Sequence, residues 1–246
     1  ALRRGYAAAV DSEAGTMLEL YSYPELFGVA DNNPFGLKVW AFLKLTGVPF
    51  THRHILDAST APRGQLPYIV DGDLTLGDSD AIVAHLIGTR DLAIDADLSP
   101  AQLDLDLMLR RTLDDLYWVM SYSRWKDDRF WPQFSGALRD QHPQLTPEAL
   151  EGARAYNAKR YHYQGIGRYE PAQAYARGIA NLSVLANLLT DQPYLFGDRP
   201  HSTDAAAYGF LANSWLYPID TPLRAFIGVS GNLGPYCERM HALVTT

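Results

Sequence analysis

Two neighbouring segments carry groups suited to holding a peptide-like acid. Gly64-Gln65-Leu66-Pro67-Tyr68-Ile69-Val70 puts a proline at the head of an apolar run. Proline cannot donate to a strand ladder, so it belongs at a strand start or a sheet edge. Asp71-Gly72 then turns the chain into Leu74-Thr75-Leu76, and Asp78-Ser79 opens a helix with capping oxygens. A small sheet edge facing a helix N-terminus can pair with extended backbone and receive a carboxylate. There Asp78 would accept from an ammonium, Ser79 would offer its hydroxyl, and Gln65 would add a donor. Taken singly, Asp78 and Ser79 merely cap a helix and Gln65 is solvated.

Further polar and aromatic groups each admit two readings. Asn33 precedes Pro34; it is an N-cap or an amide donor at the mouth of a site. Tyr21 and Tyr23 lie at the end of an apolar-alternating strand, as hydroxyl donors or as packing. Tyr117, Trp118, Tyr122 and Trp125 fall on neighbouring turns of one long helix and either line an apolar pocket or belong to the core. His52 and His54 share a strand face with no third ligand, which reads as surface histidine rather than a metal site. Gln164-Gly165-Ile166-Gly167-Arg168 lacks the strand–helix context of a nucleotide loop; its glycines end a helix, and Arg168 reads as buried and paired.

The elements that must position these groups follow from periodicity and punctuation. Residues 18–22 alternate as a strand, and 34–46 show helical spacing (Phe35, Val39, Phe42, Leu43) closed by Gly47. A second strand over 50–55, the 67–76 hairpin and a helix over 79–87 complete a βαβ–ββα order. Residues 91–99 are polar and helix-poor, a linker. From Pro100 onward the pattern is helical: 101 to about 125, 147 to about 165, 171–190, one after Ser202-Thr203-Asp204, and shorter ones between 222 and 243. Prolines at 100, 147 and 171 suit first helical turns. The predicted fold is α/β plus all-α, with residues 1–16 an N-terminal extension, 17–90 the α/β domain, 91–99 the linker and 100–246 the helical domain. Arg3 and Arg4 are slim support for a transit peptide in that extension.

Composition narrows the classes. The 246 residues are 47% hydrophobic and 20% charged with a net charge of −7, which argues for a globular chain and against a nucleic-acid surface. No apolar run approaches the roughly 18 residues of a membrane span. The single cysteine, Cys237, forbids an internal disulfide and points to a reducing, cytoplasmic setting.

The Gln65-Leu66-Pro67 and Asp78-Ser79 elements closely resemble the glutathione-binding part of the glutathione transferase superfamily, whose proline is cis within a thioredoxin-like domain. The resemblance runs from Met17 to about Met240. Asn33-Pro34-Phe35-Gly36-Leu37-Lys38, Tyr122-Ser123-Arg124-Trp125 and Gln164-Gly165-Ile166-Gly167-Arg168 resemble the bacterial branch related to metaxins and failed-axon-connections proteins. Phe196-Gly197-Asp198-Arg199-Pro200 with Asp204-Ala205 resembles the superfamily's C-terminal folding motif, where the aspartate steadies a buried helix start. His201 stands where that motif has Ser or Thr, so Ser202 or Thr203 is expected to cap instead.

The resemblance implies glutathione as co-substrate. Leu66 would pair its backbone with the cysteinyl unit, Asp78 and Ser79 would take the γ-glutamyl end, and Arg53, His52 or His54 would be weaker candidates for the glycyl carboxylate. It implies a helical domain roofing the acceptor pocket, a small electrophile such as an epoxide, halide or activated alkene, a role in detoxification, and a homodimer. Cysteine is absent from both positions, 33 and 36, at which a cysteine-type member would carry it. The nucleophile is then glutathione's own thiolate. A thiol of pKa about 8.5 is roughly 3% ionised at pH 7, and one of about 6.5 roughly 75%. That shift corresponds to about 2.7 kcal/mol, within reach of a good donor such as Asn33, Tyr21 or Tyr23. The competing class is a non-catalytic, metaxin-like scaffold that kept the fold.

Overall fold

The computed structural model describes residues 17–246; the extension predicted over 1–16 lies outside the described residues. Four strands form one mixed sheet in the order β2 (Phe50–His54), β1 (Leu18–Ser22), β3 (Tyr68–Asp71), β4 (Leu74–Gly77). β1 runs parallel to β2 and antiparallel to β3, with Leu20 opposite His52 on one side and Ile69 on the other. β3 and β4 form the expected hairpin, Asp71 opposite Leu74. Helices α1 (Pro34–Thr46) and α2 (Ser79–Thr89) complete this thioredoxin-like half. The Leu66–Pro67 peptide bond is cis. Pro67 directly precedes β3, which is an inner strand. The segment is therefore a strand entrance and not a sheet edge, the placement that a missing N–H allows at a first residue.

The remaining described elements are helical: α3 (Pro100–Trp125), α4 (Trp131–Gln141), α5 (Pro147–Gln164), α6 (Pro171–Leu189), α7 (Ser202–Trp215), α8 (Pro222–Val229) and α9 (Leu233–Thr245). None is long and apolar enough to cross a membrane among the described residues. Ser99 caps α3 in a reciprocal box with Gln102, and Thr146 and Thr221 cap α5 and α8. α4 is absent from the sequence reading. Its N-cap position is Phe130, which makes no side-chain cap, so the usual start signal is missing. Arg168 is exposed, against the expectation of a buried pair.

α7 is buried from Thr203 through Asn213 and forms the central post. Neither Ser202 nor Thr203 caps it. Thr203 Oγ1 donates to Asp106 across the molecule. Asp204, fully buried, takes the cap role by reaching back: Oδ2 accepts from His201 N at 2.8 Å, and Oδ1 from Leu195 N at 3.0 Å and the Tyr236 hydroxyl at 2.7 Å.

The two halves meet where α1 packs on α7. A Cβ at Gly209 would stand 2.5 Å from the Pro34 carbonyl oxygen and 3.0 Å from Lys38 N. These are backbone atoms, which cannot swing aside. Gly209→Ala should therefore pry the helices apart and cost about 1–3 kcal/mol, read as a lower urea midpoint with unchanged slope; wild-type stability would mean the contact is looser than the geometry requires.

Candidate functional site

A cleft of about 370 Å³ opens between the halves. Its floor comes from the α/β half: Gln65, Leu66 and Pro67 at the strand entrance, Asp78 and Ser79 at the start of α2, and Tyr23, Asn33 and Phe35 around the start of α1. Its roof comes from α3 (Arg111, Asp114, Tyr117, Trp118) and α5 (Tyr156, Arg160).

At one end, polar groups converge on the α2 N-terminus. Asp78 adopts φ 81° and uses Oδ1 to accept from Asp80 N and Ala81 N, both at 3.1 Å. Its other oxygen lies 3.4 Å from Arg63. Ser79 is buried, and its hydroxyl accepts from Lys38 Nζ at 3.3 Å. That leaves the Ser79 proton for a ligand. Lys38, itself buried, also pairs with Asp80, which pairs in turn with Arg110 at 2.7 Å and Arg111 at 3.3 Å. Burial works to raise the Asp80 carboxyl, but Lys38 and Arg110 hold it below its usual value; burial also lowers the Lys38 ammonium. Leu66, which lines the cleft, has no backbone hydrogen bond within the described residues, so its N–H and C=O are unspent.

In the middle lie Asn33 and Tyr23. Asn33 is the α1 N-cap, its Oδ1 accepting from Phe35 N at 3.0 Å. The cap uses the oxygen and leaves the amide Nδ2 as a donor, so both readings of Asn33 are compatible. Tyr23 is half-buried, and burial pushes its hydroxyl up to about 12, keeping it a proton-bearing donor at neutral pH.

The structure does not bring the other proposed groups here. The Tyr21 hydroxyl donates to Glu19 at 2.7 Å and its ring stacks on Tyr68. It lies inside β1, on the face away from buried Leu20 and Ser22. Tyr117 and Trp118 line the cleft; Tyr122 and Trp125 do not. One turn is about 5.4 Å, enough to carry Tyr122 into the core against Tyr161 and Tyr175, and Trp125 onto Trp131 and Phe134. Arg53 is tied to Glu19 at 2.8 Å. His52 bonds Ser22 at 2.7 Å, and burial, helped by His54, lowers it to about 4, so it is no cation at neutral pH. His54 bonds the Tyr23 carbonyl at 3.0 Å. No group of metal-ligating side chains is found among the described residues.

Sequence reasoning missed Asp80, Arg111, Asp114, Tyr156, Arg160 and Asp31. Tyr156 and Arg160 stand four apart on α5, a spacing that could have flagged a shared helix face. Asp31 is fully buried behind Asn33, whose N–H donates to Oδ1 at 2.7 Å; Oδ2 has no partner. A Cβ on Gly36 would sit 1.7 Å from that Oδ2. Position 36 therefore admits no side chain, cysteine included, while Asp31 stays in place. Cys237 is buried in the first half of α9, and burial pushes its thiol well up.

The family model described as "Glutathione S-transferase N-terminal domain" matches residues 34–130, and the one described as "Glutathione S-transferase, C-terminal domain" matches 178–240. The isoprene-epoxide–glutathione S-transferase of Rhodococcus sp. (strain AD45) is 32% identical over 91% of this chain and 98% of its own length. Failed axon connections of Drosophila melanogaster is 23% identical over 86% of this chain but only 54% of its own length. Among solved structures, the glutathione S-transferase of Ceriporiopsis subvermispora in complex with glutathione superposes with TM-score 0.59 over 94% of this chain and 97% of its own, at 16% identity.

Burial raises the Asp31 carboxyl to about 8, against the weaker pull of the nearby Ser22 hydroxyl, the Asn33 backbone N–H and Arg124. A carboxyl raised on folding keeps its proton in the folded state where the unfolded chain has lost it. Stability then falls with rising pH between about 4 and about 8 and levels off above, by at most about 1.4 kcal/mol per unit. Asp31→Asn removes this dependence. In urea unfolding, the variant should gain on wild type from pH 5 to pH 8; parallel profiles would show that Asp31 is ionised throughout.

Proposed function

The chain belongs to the glutathione transferase superfamily, and from that premise we propose that glutathione lies along Gln65-Leu66-Pro67 with its γ-glutamyl end at Asp78 and Ser79 and its thiol at Asn33 and Tyr23. The reaction of the family, addition of the glutathione thiolate to an electrophile, is the activity of this chain. The carrying observation is a single cleft that holds an unspent strand-entrance backbone, a helix N-terminus and two neutral donors, under an aromatic roof.

Each part of the tripeptide has a counterpart. The Leu66 N–H and C=O suit the cysteinyl backbone. The Ser79 hydroxyl and the α2 N-terminus suit the γ-glutamyl carboxylate, and Asp78 suits its ammonium. The Asn33 amide and Tyr23 hydroxyl stabilise the thiolate as neutral donors in a partly desolvated site. Phe35, Tyr117 and Trp118 surround the acceptor; the Phe35 and Tyr117 rings stand 5.0 Å apart. The Rhodococcus relative's name makes a small epoxide the first acceptor to test. In that reaction sulfur attacks a ring carbon, the C–O bond breaks and the oxygen leaves with the electron pair to take up a proton.

Residues 17–90 then serve as the glutathione-binding half, 91–99 as the link and 100–246 as the half that shapes the acceptor site. Detoxification, homodimer formation and a cytoplasmic location rest on family likeness alone. The metaxin-like scaffold reading is supported only by the lower-identity Drosophila relative.

Two measurements test this. Ser79→Ala removes a hydrogen bond to a charged group, worth about 1.5–3 kcal/mol, so calorimetry should show glutathione affinity falling more than about tenfold; unchanged affinity in a folded variant would displace the γ-glutamyl end from α2. Bound glutathione should also show thiolate absorbance at lower pH than free glutathione. Asn33→Ala and Tyr23→Phe should each raise that midpoint by about one unit, corresponding to about 1.4 kcal/mol. Asn33→Asp keeps the capping oxygen without the amide donor and so separates thiol activation from helix stability. Saturating binding without any lowering of the thiol midpoint would favour the scaffold.

A further inference from the structure

Two arginines line the cleft, and their circumstances differ. Arg111 is neutralised by Asp80 and Asp114, at 3.3 and 2.9 Å. Arg160, half-buried on α5, has no carboxylate partner among the described residues. Its Nη1 donates to Asn157 Oδ1 at 2.9 Å and reaches the Tyr117 hydroxyl at 3.5 Å. Nε and Nη2 have no hydrogen-bond partner among the described residues. The guanidinium plane is held among three rings, 5.2 Å from Trp118 and 5.9 Å from both Tyr117 and Tyr156.

Anchoring through Nη1 and the ring faces fixes the fork while its Nε–Nη2 edge stays free. That edge presents two parallel N–H groups at the spacing of the two oxygens of a carboxylate. Nε and Nη2 are not sealed off from the cleft, so a ligand can reach that edge, and the partly desolvated aromatic surround strengthens a charge-assisted pair made there. Its position in the roof, with Trp118 and Tyr117, puts it beside the acceptor. The acidic groups of the cleft are already engaged: Asp80 and Asp114 pair with Arg111, and Asp78 caps α2.

We propose that the electrophile used by this protein carries a carboxylate, and that the Nε–Nη2 edge of Arg160 receives it while Tyr117 and Trp118 pack its apolar body. The inference rests on the glutathione-binding reading of the cleft and narrows the acceptor class. Arg160 is then the specificity-determining residue. A neutral electrophile fits the same walls but leaves the guanidinium unpaired.

The test uses two S-aryl conjugates of glutathione that differ in one group, S-(4-carboxy-2,6-dinitrophenyl)glutathione and its 4-carboxamide, so that binding is read without turnover. By calorimetry, the wild type should bind the carboxylate conjugate about tenfold or more tighter than the carboxamide, the effect of one hydrogen-bonded charge. Arg160→Gln should erase that preference and leave the affinity for glutathione itself unchanged. Arg160→Lys, which keeps the charge but loses the fork, should retain a smaller preference and guards against loss of the fold. Equal affinities of the two conjugates for wild type would overturn the proposal. So would an Arg160→Gln variant that loses affinity for glutathione as much as for the conjugate, since the edge would then hold the glycyl carboxylate of the tripeptide. Failure of wild type to bind glutathione at all would remove the underlying reading, and this inference with it.

Discussion

The position of Asn33 is set from the far half of the molecule. Arg124 of α3 is buried, donates to the Asn32 carbonyl at 2.9 Å and to the Asn213 carbonyl, and packs over the Tyr217 ring at 4.6 Å. Asn213 of α7 donates to the Asp31 carbonyl at 3.1 Å, and its own oxygen accepts from the Tyr217 hydroxyl at 3.2 Å. A buried guanidinium is tolerable only when its N–H groups are satisfied, and here two main-chain carbonyls share that task. The loop 31–33 is thereby locked to α3 and α7 before any ligand arrives. The groups proposed to meet the thiol sit on a segment that the helical half holds in register. Gly209 serves the same docking by letting α7 approach the first turn of α1.

This docking also explains the distribution of charge. Lys38 on α1 is drawn into the interior, where Asp80 at the start of α2 neutralises it and Arg110 and Arg111 of α3 compensate the carboxylate in turn. The cluster crosses from sheet half to helical half, so the α2 N-terminus is held in place by charge as well as by packing. Its cost in desolvation is offset because the carboxylate has several partners. The middle of the cleft is different: Tyr23 and Asn33 are neutral donors, and neutral donors stabilise a thiolate without needing a counterion in its absence.

Local signals carried the α/β half into the sequence. Asn33-Pro34 and Gly47 bracket α1, and the turn at Gly72 sets the β3–β4 register, because a cap or a turn is decided by a few adjacent residues. What sequence left open depends on tertiary placement. Tyr21 and Tyr23 look equivalent by alternation, but β1 ends at Ser22, so Tyr21 stays paired on the sheet while Tyr23 reaches the cleft. The aromatic residues of α3 share a broad face, but the helix runs from the cleft into the core, so Tyr117 and Trp118 fall in one environment and Tyr122 and Trp125 in another. Asp31 was invisible because an isolated aspartate before an Asn-Asn-Pro run reads as a loop residue; only the close approach of Gly36 shows what it does.

The pair Asp31 and Gly36 bears on which thiol reacts. Asp31 Oδ2 occupies the volume that a side chain at position 36 would need, and the backbone of Asn33 leans on the same carboxyl. A cysteine at 36 would have to expel the group that supports the cap of α1. The fold has thus committed this corner to holding Asn33, and Cys237 is buried on another element with its thiol disfavoured from ionising. Protein-thiol chemistry is closed at both places, while the unspent donors in the cleft remain: the Asn33 amide, the Tyr23 hydroxyl and the Leu66 backbone. A scaffold that had merely inherited the fold would have no physical need to keep these donors facing one open cleft. In the reaction proposed here, thiol chemistry supplied by the ligand gives each of them a partner.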